Sequence, residues 1–150
     1  MVYAIFCRYE HRTSTGKEFT EYFLIDNLFN SEDDVKKRIK ELKELSNPID
    51  KSTKLKHEYK YEYIDETLLD QPRMRRPKGR PKKFSEDELK NIVKVLNKKG
   101  IVKIDNNIKE FLYNDDEAKK YISDHIKDNS KWTRYWYDDN YNLFIILKDK

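Results

Sequence analysis

With 150 residues the chain has room for one ordinary domain or two very small ones, and its 40% charged content, 37% hydrophobic content and mean hydropathy of -1.05 lean towards disorder. Against that stand 11 Tyr, 7 Phe and 2 Trp, too many aromatic residues for a solvated tail, while only 3 Gly and 4 Pro exclude collagen-like and low-complexity classes. No apolar run approaches the roughly 18 residues of a membrane span, residues 1–6 lack a basic leader, and the single Cys7 leaves no internal disulfide framework, so a globular, intracellular protein with no membrane partner is expected.

Residues 2–10 alternate and lead to a polar turn, Thr13-Ser14-Thr15-Gly16, before a second apolar run at 19–25. That is a hairpin pattern with Gly16 in the left-handed position. Ser31 can cap a helix whose first turn holds Glu32, Asp33 and Asp34. Val35, Ile39, Leu42 and Leu45 follow at helical spacing, and Asn47-Pro48 stops the run. Next, Leu55, His57, Tyr59, Tyr61 and Tyr63 alternate with Lys54, Lys56, Glu58, Lys60 and Glu62. Such alternation predicts an antiparallel strand with its tyrosines under the helix and its Lys/Glu face in water. Residues 1–70 thus read as a small ββαβ module.

The net charge of +4 is unevenly placed. Residues 1–72 hold 12 Lys and Arg against 15 Asp and Glu, and residues 85–150 hold 13 of each. The excess comes from seven cations in 73–83, a stretch without an acid: Arg73, Arg75, Arg76, Lys78, Arg80, Lys82 and Lys83. Pro72, Pro77 and Pro81 disfavour helix and central strand there and favour an extended backbone. Residues 71–84 therefore read as a basic linker between two modules. A solvated spacer or a nuclear-import address would need no particular residue order. The order Pro77-Lys78-Gly79-Arg80-Pro81, with basic residues on both sides, resembles the AT-hook, whose Gly-Arg-Pro core lies in the narrow minor groove of A·T-rich DNA. It is similar also to the minor-groove arm ahead of the helical domain of bacterial invertases and resolvases. The resemblance implies that Arg80 inserts into the groove, Gly79 allows close approach and Pro81 sets the exit direction. It departs from the usual hook at Lys78, where arginine is the rule.

Phe84-Ser85-Glu86-Asp87-Glu88-Leu89 is a helix start, with Ser85 and Glu88 as capping box and Phe84 and Leu89 as staple. Leu89, Ile92, Val93 and Leu96 form its apolar stripe, and Gly100 ends it. A short strand at 101–104, helices at 107–113 and 115–128, and strands at 132–137 and 141–147 about the turn Asp138-Asp139-Asn140 complete the pattern. This order is similar to the winged-helix arrangement, and the fold class expected is α+β. A winged helix would put the helix at 115–128 in the major groove. Asp115, Asp116 and Glu117 oppose that, unless Lys119, Lys120, Lys127 and Lys131 share one face.

The reading that follows is a non-enzymatic protein contacting A·T-rich DNA through Arg73, Arg75, Arg76, Lys78, Gly79, Arg80, Pro81, Lys82 and Lys83. The alternative is a viral or phage accessory protein that binds a host or virion protein through Trp132, Tyr135, Trp136 and Tyr137, residue types that anchor interfaces. A third is a metal-dependent nuclease, since Asp50 followed by Glu58-Tyr59-Lys60 echoes the acid, acid-x-Lys pattern of that class. No cofactor and no metal site is expected: phosphate loop, Cys/His cluster and nucleophile elbow are all missing, and His11, His57 and His125 are scattered.

Overall fold

The computed structural model describes residues 2–12, 16, 18–45, 58–75, 83–105, 115–140 and 142–150. These form a mixed α+β fold: β1 (Val2–Arg12), β2 (Glu18–Phe29), α1 (Glu32–Leu45), β3 (Glu58–Ile64), a 3-10 turn (Glu66–Asp70), β4 (Arg73–Arg75), α2 (Glu86–Lys99), β5 (Ile101–Asp105), α3 (Asp116–His125), β6 (Lys131–Tyr137) and β7 (Asn142–Asp149). The helix expected at 107–113, the helix stop at Asn47-Pro48 and the start of the tyrosine strand at 54–57 lie outside the described residues.

Local chemistry places several elements where the sequence puts them. Gly16 has φ +83° beside the β1–β2 hairpin. Ser85 and Glu88 close the capping box of α2, and Gly100, at φ +78°, donates its N–H to the Leu96 carbonyl. The third helix is shorter than expected because Asn97 intercepts its end. The Asn97 amide donates to the His125 carbonyl at 3.2 Å and accepts the Lys127 N–H at 3.0 Å.

All seven strands belong to one sheet, in the order β3-β1-β2-β6-β7-β5-β4. The two stretches expected as separate modules are joined by the parallel pairing of Tyr22 with Arg134 and Phe23 with Tyr135. Both halves therefore share hydrogen bonds and core. On one face lie the three helices; Phe84, Leu89, Ile92 and Leu96 pack there against Val102, Ile104, Ala118, Ile122, Tyr135 and Ile145. On the other, Ala4, Phe6, Tyr22, Ile64, Trp136, Phe144 and Ile146 pack together, with Leu68 and Leu69 of the 3-10 turn against them.

That second face curls on itself. In a flat sheet β3 and β7 would stand roughly 19 Å apart, four strand spacings. Instead Lys60 donates to the Asp149 carbonyl at 3.3 Å, and Lys148 donates to the Tyr63 carbonyl at 2.5 Å. Inside the curl sits Arg134, 0% exposed, whose Nε and Nη2 bind the two carboxylate oxygens of Glu62 at 3.0 and 2.7 Å. Its other donors reach the carbonyls of Trp132 at 3.2 Å and Asp149 at 2.9 Å, and its guanidinium lies 3.6 Å from the Tyr22 ring centre.

The face expected to be wet on β3 is therefore dry at Glu62, which is 8% exposed, whereas Tyr63 on the tyrosine side is 45% exposed. Residue type misleads here because a carboxylate can be buried wherever a bidentate arginine meets it. The other side of the expectation fits better: the Tyr61 hydroxyl donates to Glu32 of α1 at 3.0 Å.

A second buried pair, Lys119 of α3 with Glu21 of β2 at 3.3 Å, again crosses from one half to the other. Removing one partner of such a pair costs about 3–5 kcal/mol, while replacing both with apolar residues can be neutral. Arg134→Met should thus lower the unfolding free energy by about 3–5 kcal/mol, and Arg134→Met with Glu62→Leu should recover most of it. Urea denaturation of the three proteins checks both outcomes.

Candidate nucleic-acid interface

The basic segment begins as sheet. Arg73, Met74 and Arg75 form β4, pairing in parallel with Lys103, Ile104 and Asp105 of β5 at the sheet's edge. Proline and a lack of central pairing suit an edge strand. Strand alternation gives the three residues different tasks. Met74 packs against the core under the helices, while Arg73 and Arg75 are exposed, with Arg73 3.8 Å from the Asp105 carboxylate. Arg76, Lys78, Gly79, Arg80, Pro81 and Lys82 lie outside the described residues.

The segment re-enters the described structure at Lys83, which is exposed, and Phe84, which is 7% exposed in the helix-side core. Asp115 fastens this point. One of its carboxylate oxygens accepts the Phe84 N–H at 3.4 Å, and the other accepts the Ala118 N–H at 3.0 Å, capping α3. Both ends of 76–82 are thus attached to the same folded body, Met74 on one side and Phe84 on the other.

The helix at 116–125 offers little to phosphate. Lys119 is buried with Glu21 and also meets Asp116 at 3.4 Å, Lys120 pairs with Asp124, and Lys131 lies 3.3 Å from Asp149. The lysines that were to offset its acids do not share one outward face, and Asp116, Glu117 and Asp124 are exposed.

The aromatic hairpin is largely core. Tyr135 and Trp136 are 1% and 2% exposed, and Trp136 stacks on Phe144 with ring centres 5.0 Å apart. Burial pushes the Tyr135 phenol well above its usual range. Trp132 and Tyr137 are half-buried, and the Arg8 guanidinium and Lys150 ammonium lie 4.7 and 5.2 Å from Trp132 ring centres. Tyr141 is outside the described residues. The aromatic surplus has a simple cause: β6 is an interior strand with neighbours on both edges and cover on both faces. The missed signal is the run Trp132-Thr133-Arg134-Tyr135-Trp136-Tyr137, which carries aromatic residues on both strand faces rather than on one.

Of the nuclease triad, Asp50 lies outside the described residues, Glu58 is paired with Arg8 at 3.1 Å, and Lys60 reaches the Asp149 carbonyl and Glu62. Among the described residues no group of three His, Cys, Asp or Glu is placed to hold a metal ion, and no helix is long and apolar enough to cross a membrane. Between α2 and α3, Lys90, Lys94, Lys98 and Lys127 line one cleft. Their spacing along α2 is visible in the sequence, but Lys127 joins them only through the Asn97 clasp.

Comparison with protein-family models, curated proteins and solved structures finds no match to this chain.

Met74 is the anchor of the segment's entry. Met74→Asp, which sets a carboxylate against apolar side chains, should cost about 1–3 kcal/mol of unfolding free energy, whereas Arg75→Asp on the exposed face should stay within about 0.5 kcal/mol. Urea denaturation distinguishes the two sites.

Proposed function

We propose that the protein is a non-enzymatic binder of A·T-rich duplex DNA, with the Gly79-Arg80-Pro81 core of segment 73–83 in the minor groove. The observation that carries this reading is that all the excess positive charge lies in eleven residues, flanked by β4 on the sheet edge at one end and by Phe84, bonded to the α3 cap Asp115, at the other. An arm held at both ends loses less conformational freedom on binding than a free tail. Extended, proline-flanked arginine suits a narrow groove of enhanced negative potential. The role this supports is architectural, regulatory or genome-packaging.

The C-terminal half is read as winged-helix-like. Its support is the sheet order β6-β7-β5 with α2 ahead of β5, so that the β6–β7 hairpin folds back onto the short strand. In this reading α3 does not enter the major groove, since the exposed groups at its start include Asp116 and Glu117.

A second reading, a protein partner at the hairpin, has one observation in its favour. A cavity of about 430 Å³ is lined by Leu24, Leu28, Leu69, Trp136, Tyr137 and Phe144, with Asp138 and Asp139 also on its wall. It could receive a basic or apolar side chain.

Three measurements test the first reading. Arg80→Lys should weaken binding to A·T-rich duplex more than Arg73→Lys does, because a guanidinium sheds water more cheaply than an ammonium and offers a planar fork. Gly79→Ala should weaken it as well, although the charge is unchanged. If both variants bind as the parent does, the segment is a charged tether and the protein-partner reading takes first place. Plasmid incubated with Mg²⁺ or Mn²⁺ should remain intact; cleavage abolished by Glu58→Ala or Lys60→Ala would promote the nuclease.

A further inference from the structure

Chemistry on the far side of α2 extends the surface beyond the hook. Lys90, Lys94 and Lys98 recur every four residues, so they form a slanting row with steps of ~6 Å along the helix. Lys127 stands across from them, held by the Asn97 clasp to the end of α3. The cleft between is about 470 Å³, with Val93, Asn97 and Tyr121 as its remaining lining. No carboxylate lines it among the described residues. Lys90 is 3.5 Å from Glu86, whereas Lys94, Lys98 and Lys127 are exposed and form no ion pair with another described residue. Three lysines along one cleft without a paired carboxylate make its potential positive, and an anion seated there would offset that charge.

We propose that the α2–α3 cleft is a second DNA contact, a seat for the phosphodiester backbone. It rests on the reading that the chain binds DNA, and it adds where the duplex continues after the hook. Lysine binds phosphate as a point charge, and a neutral donor such as the Tyr121 hydroxyl is of the kind that accompanies phosphate contacts. Direction favours nucleic acid over an acidic peptide. The row starts on the helix that opens immediately after the basic segment, so a backbone leaving residues 73–83 can follow α2. Of the three acids in the first turn of α2, Glu86 meets Lys90 and Glu88 accepts the Ser85 N–H at 3.1 Å, while Asp87 is exposed, so the backbone would pass to one side of it. The two contacts divide the work: the hook selects A·T-rich sequence, and the cleft adds affinity without sequence preference.

The test uses four full-length proteins: the parent, a hook variant (Gly79→Ala with Arg80→Ala), a cleft variant (Lys94→Gln, Lys98→Gln and Lys127→Gln) and their combination. Affinities for A·T-rich and G·C-rich duplexes are measured across a salt series, with melting curves to confirm folding. The cleft variant should bind both duplexes more weakly by the same factor, keep the A·T preference, and lose about 2 to 3 from the slope of log K against log[salt], at about 0.9 per contact. The hook variant should lose the A·T preference while keeping salt-dependent binding, which the combination weakens further because six cations of residues 73–83 remain. If the parent has no A·T preference but the cleft variant still loses slope, the hook reading fails and the cleft stands. Parent-like affinity and slope in the cleft variant overturn the cleft alone. A cleft variant that binds DNA normally but loses binding to poly-glutamate overturns it in favour of an acidic peptide. No DNA binding by the parent at low salt overturns both.

Discussion

The guanidinium of Arg134 is the group on which the rest of the structure depends. A fully buried cation must have every donor met and its charge balanced, or it costs several kcal/mol. No acid on β2 or β7, its direct neighbours, meets it. The balancing carboxylate is Glu62 on β3, three strands away in the sheet. Ala4, the register partner of Glu62 on β1, is small enough to leave room at that point. Meeting the requirement bends the sheet until the end of β7 touches β3. The Asp149 carbonyl then accepts from both Arg134 and Lys60.

That curl has consequences for the basic segment. Because β2 and β6 pair and two buried ion pairs cross the seam, residues 58–75 and 83–105 lead into one body rather than two swinging modules. Arg75 and Lys83, the residues on either side of 76–82, therefore belong to one body. Met74 and Phe84 do the fastening from the apolar core, and the exposed arginines on β4 keep the entry positive.

How much of this was legible in the sequence differs by kind of signal. Local chemistry was: the Ser85–Glu88 box, the stop at Gly100, the acidic first turn of α1 and the hairpin strands all follow from neighbouring residues. Long-range pairing was not. Nothing within 131–137 states that β6 will lie parallel to β2, and Arg134 looks like any solvated arginine until Glu62 is beside it. Lys119 misleads in the same way, as it sits on a helix rich in exposed charge yet is 2% exposed. The edge strand Arg73–Arg75 was hidden by its own composition, because two arginines mask a single apolar residue whose burial decides the pairing. For the candidate site, the cationic segment was legible from charge counting and the Gly-Arg-Pro order. The α2–α3 cleft was not, because it needs Asn97 to bring Lys127 against a row on another helix.

If one sheet joins the two halves and the proposed DNA contact is correct, both halves unfold together and both respond to bound DNA. Cys7 is buried in the N-terminal half, with its thiol pushed up by that burial, and Trp132 and Trp136 lie in β6. Thiol reactivity and tryptophan fluorescence can therefore be followed in the same urea titration, with and without an A·T-rich duplex. The predicted result is one shared midpoint that moves upward for both probes with the A·T-rich duplex, as ligand binding to the native state requires, and moves less with a G·C-rich one. Cys7 becoming reactive at lower urea than the fluorescence change, or a duplex-induced shift confined to one probe, would contradict it.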